Sequence, residues 1–209
     1  MNIVYRTVHI ILAAAVFPAV FFLQLFYMEI SPKFLDYGMS LEFSLYQIFD
    51  LFGGGSKTSA VRSAFSKESL SNIWSVFAGS RASLVLMMIS AVLTLALTVF
   101  VIVAGIVKGN RKVLLSASSA GLVTSILFKV FSANVCRSVV SGKVDIVSLF
   151  TKSFLGNFFG DLLSVDTLRI GAFSNAVLIL FMCMVIWSVI YIVTDIGLDE
   201  DKTAKAGKK

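Results

Sequence analysis

The sequence predicts an all-α fold: a polytopic integral membrane protein with four transmembrane helices and amphipathic helices in two long outer loops, forming a single membrane domain over residues 1–209. Three observations predict it. Of 209 residues, 57% are hydrophobic and 14% charged, whereas a soluble domain carries about 25% charged residues. The apolar residues gather in four blocks with the charge between them. The two long segments that separate blocks carry apolar residues at helical spacing.

The first block, residues 8–29, contains "IILAAAVFPAVFFLQLFYM" between Arg6 and Glu29. Its apolar run exceeds the roughly 7 to 15 residues of a signal peptide, and bulky "FFLQLFYMEI" stands where a small-residue cleavage site would be needed, so the expectation is a retained span. Pro18 removes one backbone hydrogen bond inside it and should loosen the helix. The second block, 82–107, is uncharged between Arg81 and Lys108, and the fourth, 170–194, lies between Arg169 and Asp195. A bilayer core of about 30 Å needs roughly 20 helical residues, so all three blocks are long enough to cross.

The third block, 113–136, is the weakest, because Lys129 interrupts it. On a helix starting at Val113, Lys129 lies about 24 Å along the axis, close enough to the far boundary for its amine to snorkel into the headgroups. A lysine at the bilayer centre would instead cost roughly 2.5 to 3.5 kcal/mol. The small residues of this block, "SASSAG", have a use in lipid, where helices associate through close backbone approach rather than hydrophobic drive. Ala117 with Gly121, Ser116 with Ala120, and Gly121 with Ser125 form small-xxx-small pairs. These five and Lys129 are the expected helix-packing residues, or pore-lining residues if several copies surround a channel.

Arg6, the turn "KGNRK" (108–112) and the basic tail 195–209 place a high density of Lys and Arg next to span ends on one side, which favours cytoplasmic termini in a cell membrane. The loops 30–81 and 137–169 then lie outside. In 41–52, Leu41, Leu45, Ile48, Phe49 and Phe52 share a helical face; Leu70, Ile73, Trp74 and Phe77 repeat the pattern after "GGGSKTS" breaks the chain. In 144–163 the stripe is Val147, Phe150, Phe154, Phe158 and Leu162. Trp74, Phe77, Phe150, Phe154 and Phe158 form the expected outer interaction surface, seated on the lipid interface, on one another or on a partner.

Reactive chemistry is sparse. The only histidine, His9, falls at the start of the first span and is expected at the interface. There is no paired-histidine metal motif and no phosphate loop, so no catalytic residue, metal site or cofactor is expected. Cys136 and Cys183 lie at different depths and should be free thiols. A net charge of +6, scattered along the chain, gives no nucleic-acid patch.

Four spans with cytoplasmic ends and two structured outer loops resemble in topology the claudins and the large-pore channel families. The claudin first-loop signature is missing, since residues 30–81 hold Trp74 and no cysteine, as are the loop cysteines of connexins. No functional residue is carried over. The expected function is a non-catalytic assembly or accessory subunit whose partners are membrane lipid and other membrane proteins or copies of itself. The alternative is a pore-forming oligomer subunit with the third span lining the pathway.

Overall fold

The computed structural model describes residues 3–32, 39–46, 77–107, 110–143 and 163–206. Its body is four helices: α1 (Ile3–Phe22), α2 (Arg81–Ile106), α3 (Arg111–Val140) and α4 (Ala172–Ala206). All four are long and apolar enough to cross a membrane. Each packs on two neighbours, α1 on α2 and α4, and α3 on the same two, so the bundle closes as a square.

The helices start and stop for local reasons. Asn110 has extended backbone and its side chain accepts from the Lys112 amide at 3.4 Å, capping α3. At the C-terminus of α2 the Arg6 guanidinium reaches across from α1, donating to the Gly105 carbonyl at 2.6 Å and the Ile106 carbonyl at 2.5 Å. Those carbonyls have no intrahelical donor, and a cation suits the negative end of the helix dipole. Gly105 makes this crossing possible, because a Cβ there would stand 2.7 Å from Ile10 Cγ1. Pro18 lies inside α1 without ending it.

At the opposite end stands a three-stranded antiparallel sheet, β1 (Gln24–Pro32), β2 (Met39–Ser44) and β3 (Leu163–Ile170), in the order β2-β1-β3. One residue, Leu23, separates α1 from β1, and Gly171 alone separates β3 from α4. The β1–β3 pair therefore extends the α1–α4 pair out of the bundle. Its last rung is the Gly171 amide donating to the Leu25 carbonyl at 2.8 Å. Tyr46, just beyond β2, packs beside Phe21 and Phe22 at the end of α1.

The sheet corrects the expected outer structure in two places. The first apolar block does not run as one helix over 8–29: the helix occupies Ile3–Phe22 and the remainder is β1. A strand buried in a sheet and a buried helix have the same unbroken apolar composition, and only pairing with a distant strand separates them. Residues 41–44, expected to open an amphipathic helix, lie in β2. Leu45 and Tyr46 are helical as expected, Phe77 lies in a turn and Leu163 opens β3, while the remainder of the expected outer helices falls outside the described residues. The block at 82–107 forms α2 within a residue of its expected bounds, α3 exceeds 113–136 at both ends, and α4 carries its helix past Thr194 into the tail as far as Ala206.

The core runs down the bundle axis. Ala13 and Val16 of α1, Val101 of α2, Leu114 and Ala117 of α3, and Val177, Phe181 and Met184 of α4 form one buried cluster. Interleaved with them are the hydroxyls of Thr94, Thr98 and Ser125. Thr98 and Thr94 donate to the carbonyl four residues back, each at 2.8 Å, and Ser125 donates to the Gly121 carbonyl at 2.7 Å, so these groups satisfy themselves inside the packing.

Candidate helix-packing site

The small-residue block of α3 divides between two faces. Ala117, Gly121 and Ser125 are buried, whereas Ser116 and Ala120 are exposed on the outer surface of the helix. Successive residues of a helix differ by about 100°, so two adjacent small-xxx-small ladders point in different directions and only one can face α4. The inward ladder receives Phe181 of α4, whose ring lies where a Gly121 Cβ would be, with Cε1 2.0 Å from that position.

Close approach also exposes the Gly121 carbonyl to side chains. It accepts from Ser125 Oγ at 2.7 Å and Thr124 Oγ1 at 3.0 Å, and Thr94 Oγ1 of α2 lies 3.0 Å from Thr124 Oγ1. This hydroxyl chain ties α2 to α3 on one side of Gly121 while Phe181 ties α4 on the other. In helices that are embedded in lipid, polar bonds of this kind are worth about 0.6 kcal/mol each.

Lys129 has a partner within the bundle. Its Nζ donates to Asn175 Oδ1 at 2.7 Å, in the first turn of α4, while the side chain stays exposed. Its partner is thus a neighbouring helix. Phe77 is half-buried in the turn before a single 3₁₀ turn, Ala78–Ser80, that leads into α2. Trp74, Phe150, Phe154 and Phe158 lie outside the described residues. Cys136 is buried, Cys183 exposed, and both are free.

A second polar group, at the terminal end of the bundle, escaped the sequence reading. His9, expected at the interface, is fully buried. Its Nδ1 lies 2.9 Å from the Tyr5 carbonyl and its Nε2 2.8 Å from Ser188 Oγ, while Tyr5 Oη donates to Ser188 Oγ at 3.1 Å. One proton assignment satisfies all three: Nδ1–H donates to the carbonyl, the Ser188 hydroxyl donates to Nε2, and Ser188 Oγ accepts from tyrosine. The Tyr5 ring lies 4.5 Å from His9 and 4.6 Å from Tyr191, and the Arg111 guanidinium sits 5.1 Å from the Tyr191 ring, bringing α3 into the group. The signal was present, since Tyr5, His9, Ala13 and Val16 repeat at helical spacing and are the buried stripe of α1.

A hydroxyl against Nε2 with Nδ1 held by a carbonyl is the geometry of a serine–histidine acid–base pair. Here both residues are wholly buried, so the pair has no face to offer a substrate. Its physical role is a clamp between α1 and α4. Ser188→Ala strips partners from both Tyr5 Oη and His9 Nε2 and is expected to cost about 2 kcal/mol. In a thermal unfolding scan of the purified protein this reads as a midpoint lowered by roughly 4 to 8 °C, whereas Ser138→Ala, whose hydroxyl bonds only its own helix, should leave the midpoint in place.

Among the described residues no cluster of His, Cys, Asp or Glu could hold a metal ion. Comparison with known proteins finds no matching family model, curated relative or solved structure.

Proposed function

We propose that the chain is an integral, multipass membrane protein, both termini cytoplasmic, that serves as a non-catalytic assembly or accessory subunit packing with other membrane proteins or with copies of itself. Four helices of spanning length and composition support the membrane reading. The observation that carries the assembly reading is the unused ladder of α3. Ser116 and Ala120 lie exposed with Val113, Val123 and Leu127, also exposed, around them. A helix facing only lipid gains nothing from small residues there, while a helix meeting another backbone does. The inward ladder of the same helix shows what such residues accomplish, since Gly121 admits Phe181.

The polar groups inside the bundle favour this reading over a pore lined by α3. Ser125 and Thr124 are spent on internal bonds and Lys129 on Asn175. A channel wall made from the outer face of α3 would present Val123, Leu127 and Val130, all exposed and apolar.

Disulfide cross-linking in native membranes tests the proposal. In a Cys136→Ser, Cys183→Ser background, Ala120→Cys is expected to give an oxidised adduct, at twice the chain mass of 22.7 kDa for a self-pair or at another mass for a different partner. Val92→Cys, on the exposed side of α2, is the comparison and should remain single. No adduct from Ala120→Cys, together with a single-chain particle in mild detergent, would overturn the reading.

A further inference from the structure

The sheet end of the bundle carries a groove of about 600 Å³ between the last turns of α3 and strand β3. Ala133, Cys136, Leu168 and Ile170 contribute to its wall, and Arg137 and Arg169 stand along it. Both arginines are exposed, and neither makes an ion pair among the described residues. Of the acids on β1 and β3, Glu29 accepts from Thr167 Oγ1 at 2.8 Å, and Asp166, three residues before Arg169, has an interaction of its own.

The groove's height along the bundle says what it meets. The ring of Phe128 on α3 packs edge-on against Phe173 on α4 at 5.4 Å, and Lys129 bonds Asn175, so α3 passes the level of Gly171 near residue 131. Arg137 then lies about 9 Å above that level at 1.5 Å per helical residue. Arg169, two strand residues before Gly171, lies about 7 Å above it. If the bundle crosses a bilayer, Gly171 marks the edge of the hydrocarbon. The backbones of both arginines then stand at the outer edge of the headgroup layer, which is roughly 5 to 7 Å deep on each side, and side chains of this length can reach a phosphate within it.

We propose that the groove binds one anionic phospholipid from the leaflet on the sheet side, its phosphate between Arg137 and Arg169 and an acyl chain descending past Ala133 and Ile170 into the hydrocarbon. This rests on the membrane reading above and is independent of the assembly reading. Guanidinium groups match phosphate oxygens through paired hydrogen bonds. Ala133 and Ile170, each about 3 Å above the level of Gly171, form an apolar wall below the two cations, which suits a molecule that is charged at one end and hydrocarbon at the other. A free phosphate would use the arginines and leave the wall wet.

The test uses the full chain purified in a neutral detergent. Phosphatidylglycerol at a hundredfold excess over its dissociation constant is expected to raise the thermal midpoint by about 5 to 10 °C and to remain on the protein in native mass spectrometry as one bound lipid. Phosphatidylcholine should raise it far less, and inorganic phosphate not at all. In Arg137→Gln/Arg169→Gln both the shift and the retained lipid should fall at least tenfold in apparent affinity. The variant's own midpoint should match that of the parent, since both side chains are exposed. Equal effects of the two lipids, protection by inorganic phosphate alone, or an unaltered response of the double variant would each overturn the proposal. Carbonate extraction of membranes distinguishes the two ways of failing: release of the chain defeats the membrane reading itself, whereas a retained chain indifferent to phosphatidylglycerol defeats only the lipid site.

Discussion

Gly171→Ala is expected to leave little folded protein. A Cβ at this position would stand 2.0 Å from the Gln24 carbonyl oxygen and 2.4 Å from its carbon. Both are backbone atoms, so no rotamer change relieves the overlap. The chain is also held from the other side, because the Gly171 amide donates to the Leu25 carbonyl at 2.8 Å. Moving β1 away from Gly171 would break that bond and disturb the β1–β3 ladder, and β1 is joined through Leu23 alone to α1. The strain therefore passes into the α1–α4 packing, which contains the His9 clamp.

A cost above about 4 kcal/mol is expected, in the range reached by backbone clashes and broken cores, against a typical total stability of about 5 to 15 kcal/mol. Detergent extraction followed by size-exclusion chromatography reads it as loss of the monodisperse peak. Gly142→Ala is the internal comparison. Gly142 has φ 72° with nothing within 4 Å of a Cβ, so alanine there meets only the left-handed backbone penalty of about 1 kcal/mol. Equal behaviour of the two variants would remove Gly171 as the hinge between sheet and bundle.

How much of this was legible in the sequence depends on the range of the interaction involved. The four apolar blocks were legible because spanning length and charge exclusion are local properties, and α2 shows them most cleanly. The exit from α1 was not. Gln24–Pro32 continues the apolar run of the first block, and what makes it a strand is a partner, Leu163–Ile170, more than 130 residues further on. "LEFS" at 41–44 fitted a helical face through Leu41 and Leu45, but it equally alternates Leu and Phe with Glu and Ser, the period of two that pairing with β1 selects. Glu42 shows the polar side of that alternation, accepting from the Gln24 side-chain amide at 2.5 Å.

The candidate site was half legible for the same reason. Composition identified the small block of α3 as a contact region, and Gly121 is one. Which of two small ladders turned inward could not be read, because Ser116, Ala117, Ala120 and Gly121 are alike in size and the deciding group, Phe181, sits on another helix. The burial of His9 was not legible either, because its hydroxyl partner, Ser188, sits on another helix. Burial on the Tyr5–Ala13–Val16 stripe and a hydroxyl partner on α4 made a fully buried position tolerable.

The Gly121–Phe181 contact gives the second large effect, and a double-mutant cycle isolates it. An alanine Cβ at 121 would lie 2.0, 2.5 and 2.6 Å from three ring carbons of Phe181. The ring is fully buried and cannot swing clear, so α3 and α4 must separate, loosening the Thr94–Thr124 chain on the far side of Gly121. Overpacking of this severity is expected to cost about 3 kcal/mol, and Phe181→Ala alone, which empties the space over Gly121, about 3 to 5 kcal/mol. In Gly121→Ala/Phe181→Ala the new methyl enters the vacated volume. The pair should then be less destabilised than the sum of its parts by more than about 1 kcal/mol, well outside the additivity error of roughly 0.3 to 0.5 kcal/mol for independent sites. Thermal midpoints of the four proteins in one detergent supply the cycle. Strict additivity would mean that the ring does not rest on Gly121. The inward ladder would then lose its role as the pattern from which the outward Ser116–Ala120 ladder is read as a docking face.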